Sequence, residues 1–221
     1  ADIDAAQKNP IGTINCNILG NAYILESIKE KNIKKYIFAS SIYVYSRSGG
    51  FYRCSKQSCE NYIEEYHREY GIQYNNLRFG SLYGVGANAF NGVSKFLLSA
   101  IKNEPIVYYG NGEEEREYIN IKDAARLSVK ILDEKYNNKN LILTGNQKLK
   151  IKSLFVMLEE IFQKELKIDF KNNNHSHYTM TPYSYIPKAG FKITDELNID
   201  LGQGLIHCID DLESRYKCNV K

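Results

Sequence analysis

Lys35 to Lys56 reads KYIFASSIYVYSRSGGFYRCSK, and the fold and chemistry of the chain both turn on it. The part from Lys35 to Ala39 is short and apolar, the pattern of a strand covered on both faces in a parallel sheet. It runs into Ser40 and Ser41, and then reaches Tyr52 and Lys56, four residues apart. On a helix that spacing puts a phenol and an ammonium on one face. A tyrosine titrates near ~10 in water, so its use as a base near neutral pH requires a fixed positive charge beside it. Lys56 is placed to supply that charge. Ser41, just past the strand, is placed to hydrogen-bond the substrate oxygen whose proton Tyr52 removes. The three make a proton-transfer site for an alcohol–ketone interconversion.

Outward from this stretch, strand-like and helix-like segments alternate. Pro10 to Lys31 has the spacing of an amphipathic helix, with Ile14, Ile18, Leu25 and Ile28 near a 3.6 period. Ser55 to Tyr70 reads as the helix that follows the Tyr-Lys pair, and Gly71 suits a left-handed cap. Strands are expected at Gln73–Phe79, Ile106–Tyr109, Glu117–Ile121 and Leu141–Thr144. Helices are expected at Val93–Asn103, Ile121–Glu134 and Ile151–Phe162, the last with Leu154, Leu158 and Ile161 inward. The tail closes on a helix bearing Leu201, Leu205, Ile209 and Leu212. Lys171 to Tyr185, rich in Asn, His, Ser, Thr and Tyr, reads as an irregular connection.

With 221 residues and 43% hydrophobic content, the chain is long enough for one large domain, or one domain with a small lobe. A net charge of +3, with acidic runs such as Glu113 to Glu115 among the basic residues, leaves no basic stripe for nucleic acid. No apolar run approaches the ~20 residues of a membrane span, and the chain reads as cytoplasmic. Five cysteines without a C-x-x-C spacing read as reduced thiols. His175 and His177, with no carboxylate or cysteine nearby, read as a polar loop, so no metal is expected.

FASSIYVYS followed by YRCSK resembles the extended short-chain dehydrogenase/reductase family, the NAD-dependent nucleotide-sugar epimerases and dehydratases. A Tyr-x-x-x-Lys alone is a weak signal. Its order with LRFGSLYG (Leu77 to Gly84) and GNGEEEREYINIKDAA (Gly110 to Ala125) makes the resemblance specific, and it extends over nearly the whole chain. It implies an α/β fold: a Rossmann-like parallel sheet with a small C-terminal α+β substrate-binding lobe. Residues 1–85 correspond to the later part of the dinucleotide-binding domain, and 86–221 mainly to the lobe, interleaved with the last Rossmann elements. The opening ADIDAAQKNP resembles the family's His-x-Ala-Ala segment, with Asp4 at the histidine position. The family's Gly-x-x-Gly-x-x-Gly turn lies upstream of that segment and is absent here, so the chain is expected to be N-terminally incomplete, its first βαβ units missing, and inactive by itself.

The resemblance also implies roles. Tyr52 is the base; Tyr52 and Lys56 meet the cofactor, NAD with NADP as the alternative. Asn17, in NILGN, matches an asparagine near the cofactor that holds the active-site backbone, a reading only slightly ahead of a helix-surface amide. Arg116 matches the arginine that meets the substrate diphosphate, against a plain surface ion pair within EEERE. Ser81 falls at a substrate-binding position where many members have asparagine, and Ser41 contacts the sugar. Family dehydratases carry Thr-Asp-Glu where this chain has Ser41, Ile42 and Tyr43, and an elimination needs those carboxyl groups. The loop SRSGGF is also much shorter than its family counterpart. The expectation is therefore a nucleotide-sugar 4-epimerase; a ketoreductase or dehydratase of the same family, or an inactive remnant serving as a binding partner, are the alternatives. A homodimer through two helices, one of them the Tyr-Lys helix, is implied as well.

Overall fold

The computed structural model describes residues 3–46, 49–88, 90–171, 189–194 and 197–219. In chain order it begins with helices α1 (Ile3–Lys8), α2 (Pro10–Thr13) and α3 (Gly20–Ile28), the last two joined by a π-helical segment, Ile14–Leu19. Strand β1 (Tyr36–Ser41), a 3₁₀ turn (Ile42–Tyr45), α4 (Gly50–Tyr70), β2 (Tyr74–Phe79) and β3 (Ser81–Tyr83) follow. Next come α5 (Gly92–Ile101), β4 (Ile106–Tyr109), β5 (Glu115–Asn120), α6 (Ile121–Lys130) and a second 3₁₀ turn, Glu134–Tyr136. The remainder is β6 (Lys139–Leu143), β7 (Lys148–Lys150), α7 (Ile151–Phe162), β8 (Ile168–Lys171), β9 (Phe191–Lys192) and α8 (Leu201–Asn219). These elements form two compact units: Ala1–Phe79 with Leu127–Leu143 and His177–Ile193, and Gly80–Arg126 with Thr144–Ser176 and Thr194–Lys221.

The first unit is built on a parallel sheet of order β1-β2-β6-β9. Its register pairs Tyr36 with Tyr74, Ser41 with Phe79, and Phe79 with Leu143. Parallel strands need crossovers, and α4 is the crossover from β1 to β2. Leu25, Phe38, Cys59, Ile63 and Tyr74 form the cluster that seats α3 and α4 on the sheet.

Two sequence expectations shift here. The helix from Pro10 is not one regular stripe: Leu25 is fully buried, but Ile14 is 42% exposed. The intervening π-helical segment has i→i+5 hydrogen bonds, and its wider turn rotates the residues before it out of line with those after it. The helix expected from Ser55 starts instead at Gly50. Gly49 and Gly50, with φ of 97° and 47°, turn the chain through left-handed backbone, so the helix begins early enough to include Tyr52 in its first turn. At the other end Gly71, φ 71°, donates its N–H to the His67 carbonyl at 2.9 Å, the expected left-handed cap.

The second unit contains a β3-β5-β7 sheet, parallel then antiparallel, and a parallel β4-β8 pair. Its core brings together Leu97, Ile106, Leu154, Phe155, Leu158 and Leu205, all 0–1% exposed. The rings of Phe96 and Phe155 meet edge to face at 5.2 Å. α7 spans the residues that periodicity indicates, and the expected apolar face of α8 packs inward. The irregular connection expected at Lys171 to Tyr185 lies outside the described residues, except for Lys171 at the end of β8, and so do His175 and His177. Among the described residues no cluster of His, Cys, Asp and Glu is arranged to hold a metal ion, and no helix is long and apolar enough to cross a membrane.

Candidate active site

At the carboxyl end of β1 the chain brings Ser41, Tyr52 and Lys56 together, with Asn17 behind them. Ser41 ends β1 in extended backbone and caps the 3₁₀ turn by accepting the Tyr43 N–H at 3.3 Å. Tyr52, 7% exposed, accepts a hydrogen bond from Ser41 through its phenol oxygen. Lys56 lies one turn further along α4. Its ammonium donates to the Ala39 carbonyl at 2.8 Å and stands 4.6 Å from the centre of the Phe38 ring and 5.7 Å from that of Tyr52. The side chain is thus anchored to the strand while its charge faces the aromatic pair.

The electrostatics differ from the simple sequence argument. Burial pushes the Tyr52 phenol above its ordinary value; the Ser41 hydrogen bond pulls it down, and neighbouring Tyr43 pushes it up again. Burial likewise pulls the Lys56 ammonium down, with Cys59, Cys16 and Glu60 opposing. Desolvation is the largest influence at both groups, because each leaves water when α4 packs on the sheet.

Asn17 is a tie between elements. Its amide donates to the Ser55 hydroxyl at 2.9 Å, Ser55 donates to the Tyr52 carbonyl at 2.8 Å, and Cys59 donates to the Asn17 carbonyl at 3.2 Å. The π-helical segment carrying Asn17 is thereby pinned to the turn of α4 that carries Tyr52.

Beneath the site lies a buried network that sequence reading missed. Glu60 accepts from Ser40 at 2.5 Å and from the Arg78 guanidinium at 3.0 and 2.7 Å, while Arg78 also donates to the Tyr45 hydroxyl at 2.5 Å. Arg78 and Glu60 are 0% and 2% exposed. The bidentate geometry is what a carboxylate needs to be held in so dry a place. A signal for Glu60 was present: it continues the Tyr52–Lys56 face by one more step of four.

Ser81 and Arg116 belong to the second unit. Ser81 opens β3 opposite Tyr118 of β5, and Arg116 lies two residues earlier on β5, on the same face as Tyr118. The Arg116 guanidinium donates to the Glu115 carbonyl at 3.1 Å. This unit also holds a cavity of about 260 Å³, lined by Tyr83, Tyr118, Asn120, Asp123 and Thr144 among others.

A dinucleotide can be tested against these residues. Its nicotinamide–ribose end fits: a phenol, a half-buried ammonium and a hydroxyl converge at the carboxyl end of a parallel strand, where open α/β sheets place their ligands. For its pyrophosphate end the sequence offers no Gly-x-x-Gly-x-x-Gly turn. The space around the Gly49–Gly50 pair at the start of α4 is filled by protein: a Cβ on Gly49 would lie 2.6 Å from the Tyr43 ring, and one on Gly50 would strike the Gln7 side chain.

Comparison with known proteins agrees with this geometry. UDP-glucuronate 4-epimerase of Thermodesulfobacterium geofontis is 25% identical over 221 residues, covering 93% of this chain and 67% of its own length. A putative UDP-glucose 4-epimerase of Methanocaldococcus jannaschii is 30% identical over 145 residues, covering 58% and 48%. The chain thus spans between about half and two thirds of these relatives. Among solved structures, UDP-glucose 4-epimerase of Thermotoga maritima with UDP-glucose superposes with a TM-score of 0.79 at 22% identity, over 98% of this chain and 75% of that one. UDP-glucuronic acid 4-epimerase of Bacillus cereus, in complex with UDP-glucuronic acid and NAD, gives 0.77 at 21%, over 90% and 68%. These two likenesses establish the α/β Rossmann-type fold. The model of the NAD dependent epimerase/dehydratase family matches residues 1–143, which include the whole Ser41–Tyr52–Lys56 constellation, and the chain belongs to that family.

Proposed function

We propose that the chain carries the proton-transfer and substrate-facing residues of a nucleotide-sugar 4-epimerase. The observation that supports this best is the meeting of Ser41, Tyr52 and Lys56 at the end of β1. NAD, when bound, would supply the hydride acceptor and donor for the sugar C4, and Tyr52 and Lys56 would hold its nicotinamide–ribose end. Tyr52 takes the C4 hydroxyl proton and later gives it back, and Ser41 orients that oxygen. The ammonium of Lys56 favours the phenolate in the removal step and reaches the nicotinamide ribose. Asn17 holds the Tyr52 turn beside the cofactor. Arg116 and Ser81 meet the diphosphate and sugar. The relatives' names point to UDP-sugars as the first probes. Ser41, Ile42 and Tyr43 include no carboxyl group, which favours epimerisation over elimination. A homodimer through α3 and α4 fits their exposed Tyr23, Ile24, Tyr62 and Tyr70.

With no Gly-x-x-Gly-x-x-Gly turn in the sequence to hold the dinucleotide's pyrophosphate, calorimetry on the chain itself is expected to show no NAD binding; saturable, stoichiometric binding would overturn that. Activity is read on the chain joined at its N-terminus to a strand–Gly-x-x-Gly-x-x-Gly–helix segment, with UDP-glucose and UDP-glucuronate. There Tyr52→Phe is expected to lower turnover by a factor on the order of 10² to 10⁴, with little change in substrate affinity. Near-normal turnover would remove Tyr52 from the role of base.

A further inference from the structure

The epimerase reading leaves Tyr43 without a task, although its ring packs against that of Tyr52. Its ring stands edge-on to the Tyr52 ring, with centroids 6.3 Å apart and planes at 82°. Its backbone N–H is the one that Ser41 accepts. Gly49 comes against the same ring: with φ at 97°, a Cβ there would lie 2.6 Å from Tyr43 Cδ1 and 3.2 Å from Cγ. Side chains of α4 hold the turn carrying Tyr43 and the residues on either side of it. Gln57 donates to the Val44 carbonyl at 3.0 Å, Arg53 to that of Ser46 at 3.1 Å, and Lys56 to that of Ala39 at 2.8 Å. The ring is therefore set in a fixed frame rather than on a free loop.

We propose that Tyr43 is a positioning residue for Tyr52: its ring, confined by the Gly49 backbone, holds the Tyr52 phenol in line with the Ser41 hydroxyl. Tyr52 sits in the first helical turn, where few backbone neighbours limit its side-chain torsions. Edge-to-face contact with an immobile ring supplies the missing restraint. Glycine at 49 is then a requirement of the site as well as of the turn, since any side chain would collide with the Tyr43 ring and displace it. The consequence for turnover rests on the epimerase reading; the ring contact does not.

The contact is tested on the 221-residue chain by NMR of its tyrosine rings, with Tyr52 assigned by its loss in Tyr52→Phe. Tyr43→Ala and Gly49→Ala are each expected to shift and broaden the Tyr52 ring signals, and Tyr43→Phe to leave them in place. Unchanged Tyr52 signals in Tyr43→Ala would overturn the proposal; should that variant fail to fold, unchanged signals in Gly49→Ala would do so. In the extended chain, Tyr43→Ala should lower kcat by on the order of 10- to 100-fold with KM for the UDP-sugar nearly constant, and Tyr43→Phe should restore it. Full kcat in Tyr43→Ala would equally overturn it. If Tyr52→Phe were found to keep its turnover, the epimerase reading would fall while the ring contact stood or fell on the NMR result.

Discussion

Glu60 and Arg78 face each other with almost no water around them, as a buried ion pair at 2.7 Å. Truncating one partner strands the other, at a cost of roughly 3–5 kcal/mol. Arg78→Ala should therefore lower the urea midpoint sharply, and Arg78→Met with Glu60→Leu should recover much of the loss; equal stability of Arg78→Ala and the parent would show that water reaches the pair. Ser40 is tied to the same carboxylate, so the loss should also loosen the strand end that carries Ser41. The difference between what could and could not be read from sequence is plain at this scale. Tyr52, Lys56 and Ser41 were legible because a helical step of four and one strand end bring them together. The Glu60–Arg78 pair joins a helix to a strand across 18 residues, and no local pattern announces which arginine meets which glutamate.

At the scale of elements, β2 is unusual in placing Asn75 and Asn76 in the middle of a buried parallel sheet, both 0% exposed. Asn76 donates to Asn140 Oδ1 on β6 at 2.8 Å, and its own Oδ1 has no partner. Asn75 donates to the Tyr136 and Lys139 carbonyls, again with an unpaired Oδ1. Asn76→Leu by itself leaves Asn140 Oδ1 without its donor and should cost about 1–3 kcal/mol. Adding Asn140→Leu removes both ends of the bond and should return most of it. A double-mutant cycle by urea denaturation measures this, and simple additivity of the two losses would refute it. The asparagines did not hide β2, because Tyr74, Leu77 and Phe79 still gave the apolar run. The π-helical segment was hidden, since Ile14 to Leu19 has the composition of an ordinary helix. Strands β3, β7, β8 and β9, of two to four residues each, are too short for alternation to register.

Across the whole molecule, tyrosine is abundant, with 18 in 221 residues, and several are held neutral by burial. Burial pushes Tyr36, Tyr74 and Tyr83 up to about 12, and raises Tyr52 and Tyr118 as well. An unfolded phenol titrates near ~10. With folded values above unfolded ones, their contribution to stability is fully present below pH ~10 and is lost as pH rises toward 12. Urea midpoints should hold through mild alkali and then fall over that interval, and the folded protein's tyrosinate absorbance should lag that of the urea-unfolded chain. Coincident titration curves would mean these rings are solvated.

The interleaving of the two units has a consequence for how the protein is made. Strand β2 is complete at Phe79, but β6, which covers its open edge, begins at Lys139, and β9 comes later still. At roughly 5–20 residues per second of synthesis, some 60 residues of delay leave that edge bare for about 3–12 s on the ribosome. Its unpaired amides and carbonyls are then a template for any passing strand. The nascent chain should need protection from chaperones over that interval, and slower translation should lower its soluble yield.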